Sequence, residues 1–187
     1  IRGASVTGLQ RRFMVDAAQA TRVRRVALAL YGDLAGAHAE QGTDESQREL
    51  GWACDLHEIG MMVSHHDHHR HSAYLLGHVD APGFSQSQQR RIAELVLGQR
   101  GGLRKIELSL VQENFAWQVL CLRLAIIKCH ARGDVDSAEL TLRRSGMTAR
   151  LAFPAQWAST HPRTLYLLHE EAEFWSRGGV LKLVMPG

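Results

Sequence analysis

The chain has 187 residues, 45% hydrophobic and 22% charged, with 22 Lys and Arg against 19 Asp and Glu, a net charge of +3 and a pI near 9.0. That length and apolar fraction give one domain with a proper core, or one domain and a small appendage, and exclude a disordered chain. The mild basic excess suits an anionic ligand without specifying one, and no run approaches the ~20 uninterrupted apolar residues of a membrane span. Cys54, Cys121 and Cys129 have no metal-ligand spacing and lie in apolar helical surroundings, which reads as buried free thiols in a reducing cytoplasm. Ile1 to Val6 shows no charged-then-apolar signal pattern.

In chain order, Val6 to Met14 predicts a short helix with Leu9, Phe13 and Met14 on one side. Asp16 is a good N-cap for a helix to about Glu40. Val23, Val26, Ala27, Leu30, Tyr31 and Leu34 form its core stripe, with Arg22, Arg24 and Arg25 off it and solvated. Gly42-Thr43-Asp44-Glu45 breaks this helix and caps the next, which carries Leu50, Ala53, Cys54, Leu56 and His57. Gly60, in a left-handed C-cap, closes that third helix.

A histidine-rich stretch follows: residues 55–76 hold six of the eleven histidines, with a new helix expected from His71-Ser72 to Val79. Asp80-Ala81-Pro82-Gly83-Phe84 is a turn, and Ser85 caps a helix from Gln86 to about Leu97 with Ile92, Leu95 and Val96 inward. Gly98 to Lys105 reads as an exposed, glycine-rich basic loop whose Arg100, Arg104 and Lys105 could hold a phosphate group or simply face solvent. Leu110 to Ala131 is apolar on nearly every face, as a central helix surrounded by others would be. Beyond Gly133 the period changes to alternation in Glu139–Arg143 and Thr148–Phe153, a hairpin turning at Ser145-Gly146. Pro162 opens a helix to about Trp175, with Leu165, Leu168, His169, Ala172 and Trp175 in register. Gly178-Gly179 ends it, and Val180 to Val184 is a last strand. The prediction is a mainly α chain: a helical domain over 1–132, then a small α+β unit over 133–187.

Leu56-His57-Glu58-Ile59-Gly60 resembles the central signature of the HD superfamily of helical metal phosphohydrolases. Together with His69-Arg70-His71-Ser72-Ala73-Tyr74-Leu75-Leu76 and Asp80-Ala81-Pro82-Gly83-Phe84-Ser85, it closely resembles the C-terminal half of exopolyphosphatases and guanosine pentaphosphate phosphohydrolases, the Ppx/GppA family. The likeness runs from the first residues to Lys182 and implies an HD-like helical fold. It also implies that the chain is a C-terminal region, with catalysis and magnesium belonging to an N-terminal actin-like half. What it implies here is polyanion binding and homodimer assembly in the cytoplasm, with no membrane and no nucleic acid as partner. The residues matching the motif are His69, Arg70 and His71, followed by Arg100, Arg104 and Lys105. Where the resembled proteins tend to have Tyr-His-Arg, this chain has Gly98-Gln99-Arg100.

The HD pattern needs four metal ligands, and the matching positions here are degenerate. No histidine stands among Thr21, Arg22, Val23 and Arg24, the late aspartate is Ile126, and the central pair is His57-Glu58. The expectation is therefore no HD metal centre, with His57 a buried histidine bonded by Glu58 or a backbone carbonyl. Adventitious metal binding by His65, His66, His68, His69 or His71 stays open. No nucleophile elbow, Walker loop or Cys-x-x-Cys pair is present, so no catalytic residue is assigned. Two other readings stand beside this one: a free-standing HD-type metal-dependent phosphohydrolase, and a non-catalytic module binding a nucleotide alarmone.

Overall fold

The first helix of the computed structural model, which describes residues 1–35 and 43–187, is α1 (Arg2–Arg12), anchored by buried Val6 and Leu9. It starts four residues earlier than expected, and Met14 does not join its apolar side. The chain leaves the helix at Phe13, and Met14, at φ 55°, is 79% exposed. Asp16 caps α2 (Ala17–Ala35) as predicted, its Oδ1 accepting the Gln19 amide at 3.1 Å. The whole stripe from Val23 to Leu34 is buried. The predicted end near Glu40 and the break at Gly42 lie outside the described residues. The arginines of α2 are tethered rather than simply solvated: Arg24 pairs with Asp55, and Arg25 donates to the Val135 carbonyl at 2.8 Å.

Helix α3 (Thr43–Leu56) buries Leu50, Ala53, Cys54 and Leu56 but ends before His57, not at Gly60. The chain then makes a 3₁₀ turn over Ile59–Met62. Gly60 is not left-handed. It is small because α4 (His68–His78) crosses over it: a Cβ there would stand 2.6 Å from the His68 carbonyl oxygen and closer still to the Ser72 amide nitrogen. The Gly60 amide donates to Ser72 Oγ at 2.8 Å, which ties the turn to α4. Helix α4 begins three residues earlier than predicted, so His68, His69 and His71 are helical rather than in a loop.

The Asp80–Phe84 turn and the Ser85 cap are as expected and launch α5 (Gln86–Leu97), the structure adding a reciprocal capping box with Gln88. A short α6 (Glu107–Leu110) precedes α7 (Glu113–Lys128), so the expected long helix starts later, after a break at Val111-Gln112. Helix α7 is central, with Phe115, Trp117, Leu120, Leu122 and Leu124 all buried.

The hairpin forms from β1 (Thr141–Ser145) and β2 (Thr148–Ala152), antiparallel with Arg143 opposite Arg150. A helix absent from the sequence reading, α8 (Ala155–Thr160), precedes α9 (Pro162–Gly178). Gly179, at φ 72°, provides the left-handed stop. Helix α9 buries Thr164, Leu168, Glu171 and Trp175, while His169 is exposed, contrary to its expected inward register. Strand β3 (Lys182–Val184) returns parallel to β2 and completes a sheet of order β1-β2-β3. The chain is thus mainly α with a small α+β unit, and one apolar core runs from Val6 to Leu183. No helix among the described residues is long and apolar enough to cross a membrane.

Candidate functional site

Two parts of the molecule carry the residues singled out from sequence. The first is the His57-Glu58 pair at the end of α3. His57 is 2% exposed, and its Nδ1 lies 2.6 Å from the Cys54 carbonyl, which can only accept, so Nδ1 carries the proton. Burial drives its pKa down, against the pull of Glu58. Gln99 reaches in from the basic loop and donates to the His57 carbonyl at 2.9 Å.

The Glu58 carboxylate is held by the Arg132 guanidinium, which also donates to Asp16 Oδ2 at 3.1 Å. Asp16 is kept below the ordinary carboxylate pKa first by the Gln19 amide and then by Arg132 and Arg22. A divalent metal does not fit this donor set. An arginine already occupies the carboxylate, Ile126 offers no donor, and no three His, Cys, Asp or Glu side chains converge among the described residues. Glu58 Oε1 and His68 Nδ1 are buried there without hydrogen-bond partners. The three cysteines are free and buried, and burial raises all three thiol pKa values, Cys129 to about 11.

The second part joins the first turn of α4 to residues 98–105. This loop is not the exposed connector that its glycines suggested. Gln99 and Leu103 are buried, and Arg123 of α7, itself 2% exposed, donates to the carbonyls of Gly98 and Gly101 at 2.9 Å each. Arg123 is fixed in turn by a two-pronged bond to Glu171 of α9 (2.7 and 2.9 Å), whose Oε2 also accepts the Trp175 indole N–H at 2.7 Å. Lys105 is half-buried rather than exposed, and its ammonium donates to the Arg100 and Gly102 carbonyls at 2.6 and 2.7 Å.

His69, Arg70, Arg100 and Lys105 are brought together. Burial lowers the His69 pKa to about 4, helped by the charges of Lys105, Arg100 and Arg70. Burial likewise lowers Lys105 to about 8, helped by Arg123, Arg70 and Arg100. Asp67 opposes both shifts; it lies 3.4 Å from His66. Arg70 and Arg100 are exposed and make no ion pair with any described residue. His71, half-buried, and Arg104, exposed, are not among the groups acting most on this cluster. His69 is buried, and its Nδ1 has no hydrogen-bond partner.

Sequence reading missed Gln99, Arg123, Arg132 and Glu171. A lone arginine in an otherwise apolar helix was the available signal for Arg123, since such a charge must find a buried partner. The family model for domain III of the Ppx/GppA phosphatases matches residues 1–172 of the chain.

Proposed function

The chain belongs to the Ppx/GppA phosphatase family, and we propose that it binds the phosphate polyanion on which such a phosphatase acts, without supplying the catalytic centre. The observation that carries this reading is that the charges of Arg70, Arg100 and Lys105 all act on the buried, neutral His69, with Arg70 and Arg100 outside any ion pair among the described residues. A phosphate chain carries about one charge per unit, so it is held by several modest cationic contacts rather than by one deep pocket. The loop geometry supports this: Arg123 and Lys105 tie down the carbonyls of Gly98, Arg100, Gly101 and Gly102, which fixes the backbone that carries Arg100. Phosphoanhydride hydrolysis, with magnesium, is assigned to residues outside this chain, and the chain is proposed to pair with a second copy.

Titration of the chain with long-chain polyphosphate, alongside thermal melts of the same variants, tests the binding reading. Arg70→Ala and Arg100→Ala are expected to lower affinity about fivefold each, since both side chains are exposed, with no change in melting temperature. Affinity is also expected to fall steeply with salt, each displaced counterion contributing to a linear log–log slope. Unchanged affinity in the double variant, or loss of affinity only with loss of fold, would overturn the assignment.

A further inference from the structure

The outer face of the three-stranded sheet carries an arrangement that the polyanion reading does not use. Alternation places Thr141, Arg143 and Ser145 of β1 on one side of the sheet with Thr148, Arg150 and Ala152 of β2. Lys182 and Val184 of β3 continue the same rows, Lys182 opposite Thr148 and Val184 opposite Arg150. The opposite face packs inward through Leu142, Ala149, Leu151 and Leu183, all buried. The outer face therefore bears three cations and three hydroxyls and no carboxylate.

Arg143 and Arg150 are direct cross-strand partners, both exposed, and neither they nor Lys182 form an ion pair with a described residue. Like charges directly opposite on antiparallel strands, ~5 Å apart at the Cβ atoms, repel and weaken the pairing. The neighbouring Arg144 is spent differently: it pairs with Glu113 and lies over the Trp117 ring at 4.8 Å. One arginine of this hairpin is thus neutralised by the protein, and two are left facing each other.

We propose that this face binds a compact, multiply charged phosphate anion from solution, bridged between Arg143 and Arg150 with Lys182 and the hydroxyls of Ser145 and Thr148 alongside. Charge complementarity selects the ligand, because a doubly bonded oxyanion between two guanidinium groups turns their repulsion into attraction. Single-stranded nucleic acid is disfavoured as the occupant. Sheets that bind it stack bases on aromatic side chains, and this face has none.

Linear tripolyphosphate is the probe, titrated into the full chain carrying Arg70→Ala and Arg100→Ala so that the α4 cluster does not contribute. Residual binding is expected, weakened by about fivefold for each arginine removed in Arg143→Ala and Arg150→Ala. Without anion, Arg150→Glu is expected to raise the melting temperature by relieving the repulsion, and to abolish the rise that tripolyphosphate gives the unmodified face. Arg150→Thr, a good strand former, provides the same readout without a new charge. No residual binding, or residual binding indifferent to Arg143 and Arg150, overturns the proposal while leaving the α4 reading intact. Binding confined to vesicles containing anionic phospholipid, or tighter to a single-stranded oligonucleotide than to tripolyphosphate, overturns the choice of a soluble compact anion.

Discussion

Replacing Glu171 by Ala removes the only carboxylate that pairs with Arg123 among the described residues, at a place where the two side chains are 2% and 3% exposed. The guanidinium would keep the carbonyls of Gly98 and Gly101, but its charge would stand uncompensated in the core, which costs about 3–5 kcal/mol. The Trp175 indole N–H would also lose its acceptor, a further ~1–3 kcal/mol that overlaps with the first loss rather than adding to it in full. A total of ~4 kcal/mol corresponds to a fall in Tm of roughly 8–16 °C for a domain of this size. Urea unfolding followed by circular dichroism measures the change directly. The double variant Arg123→Met/Glu171→Leu is expected to be more stable than Glu171→Ala alone, because no buried charge is left behind. It should nevertheless bind polyphosphate more weakly than the parent, since the carbonyls of Gly98 and Gly101 lose the donors that shape the loop. A loss below ~1 kcal/mol for Glu171→Ala, or strictly additive single and double variants, would refute the argument that the pair acts as one buried unit.

Gly60→Ala is expected to destabilise the fold by ~2–3 kcal/mol or more, because the new methyl group meets the backbone of α4 rather than a movable side chain; denaturant titration reads this directly. Polyphosphate affinity should fall as pH rises through about 8, where free Lys105 loses its proton and binding must restore it; calorimetric titration across that range measures the proton uptake. His68 and His69, both lowered from 6.5 to about 4, bind fewer protons folded than unfolded between those values, so stability should be lost as pH falls through that window. Melting temperatures of His69→Asn against the parent, compared at pH 7 and pH 5, check this sign: the gap in favour of the parent should narrow at the lower pH.

The features legible from the amino-acid sequence were those determined by neighbours along the chain. Asp16 and Ser85 cap helices because a side-chain oxygen reaches an amide two or three residues on, and Gly179 stops α9 because its backbone tolerates the left-handed turn. The stripe of α2 and the alternation of the hairpin declared their buried faces by period alone, as did the change of period beyond Gly133. The motif residues pointed to the family.

What depended on packing at long range was not legible. Gly60 carried the same letter whether it ended a helix or made room for α4, and only the crossing of α4 decides which. His69 was read as a polyanion-contacting residue of the motif, but neighbouring elements bury it. Arg123 and Glu171 lie 48 residues apart, so neither names its partner, yet their bond shapes the basic loop. Local sequence determines backbone preference over a few residues, whereas burial and charge pairing are settled only when distant segments share the same excluded water.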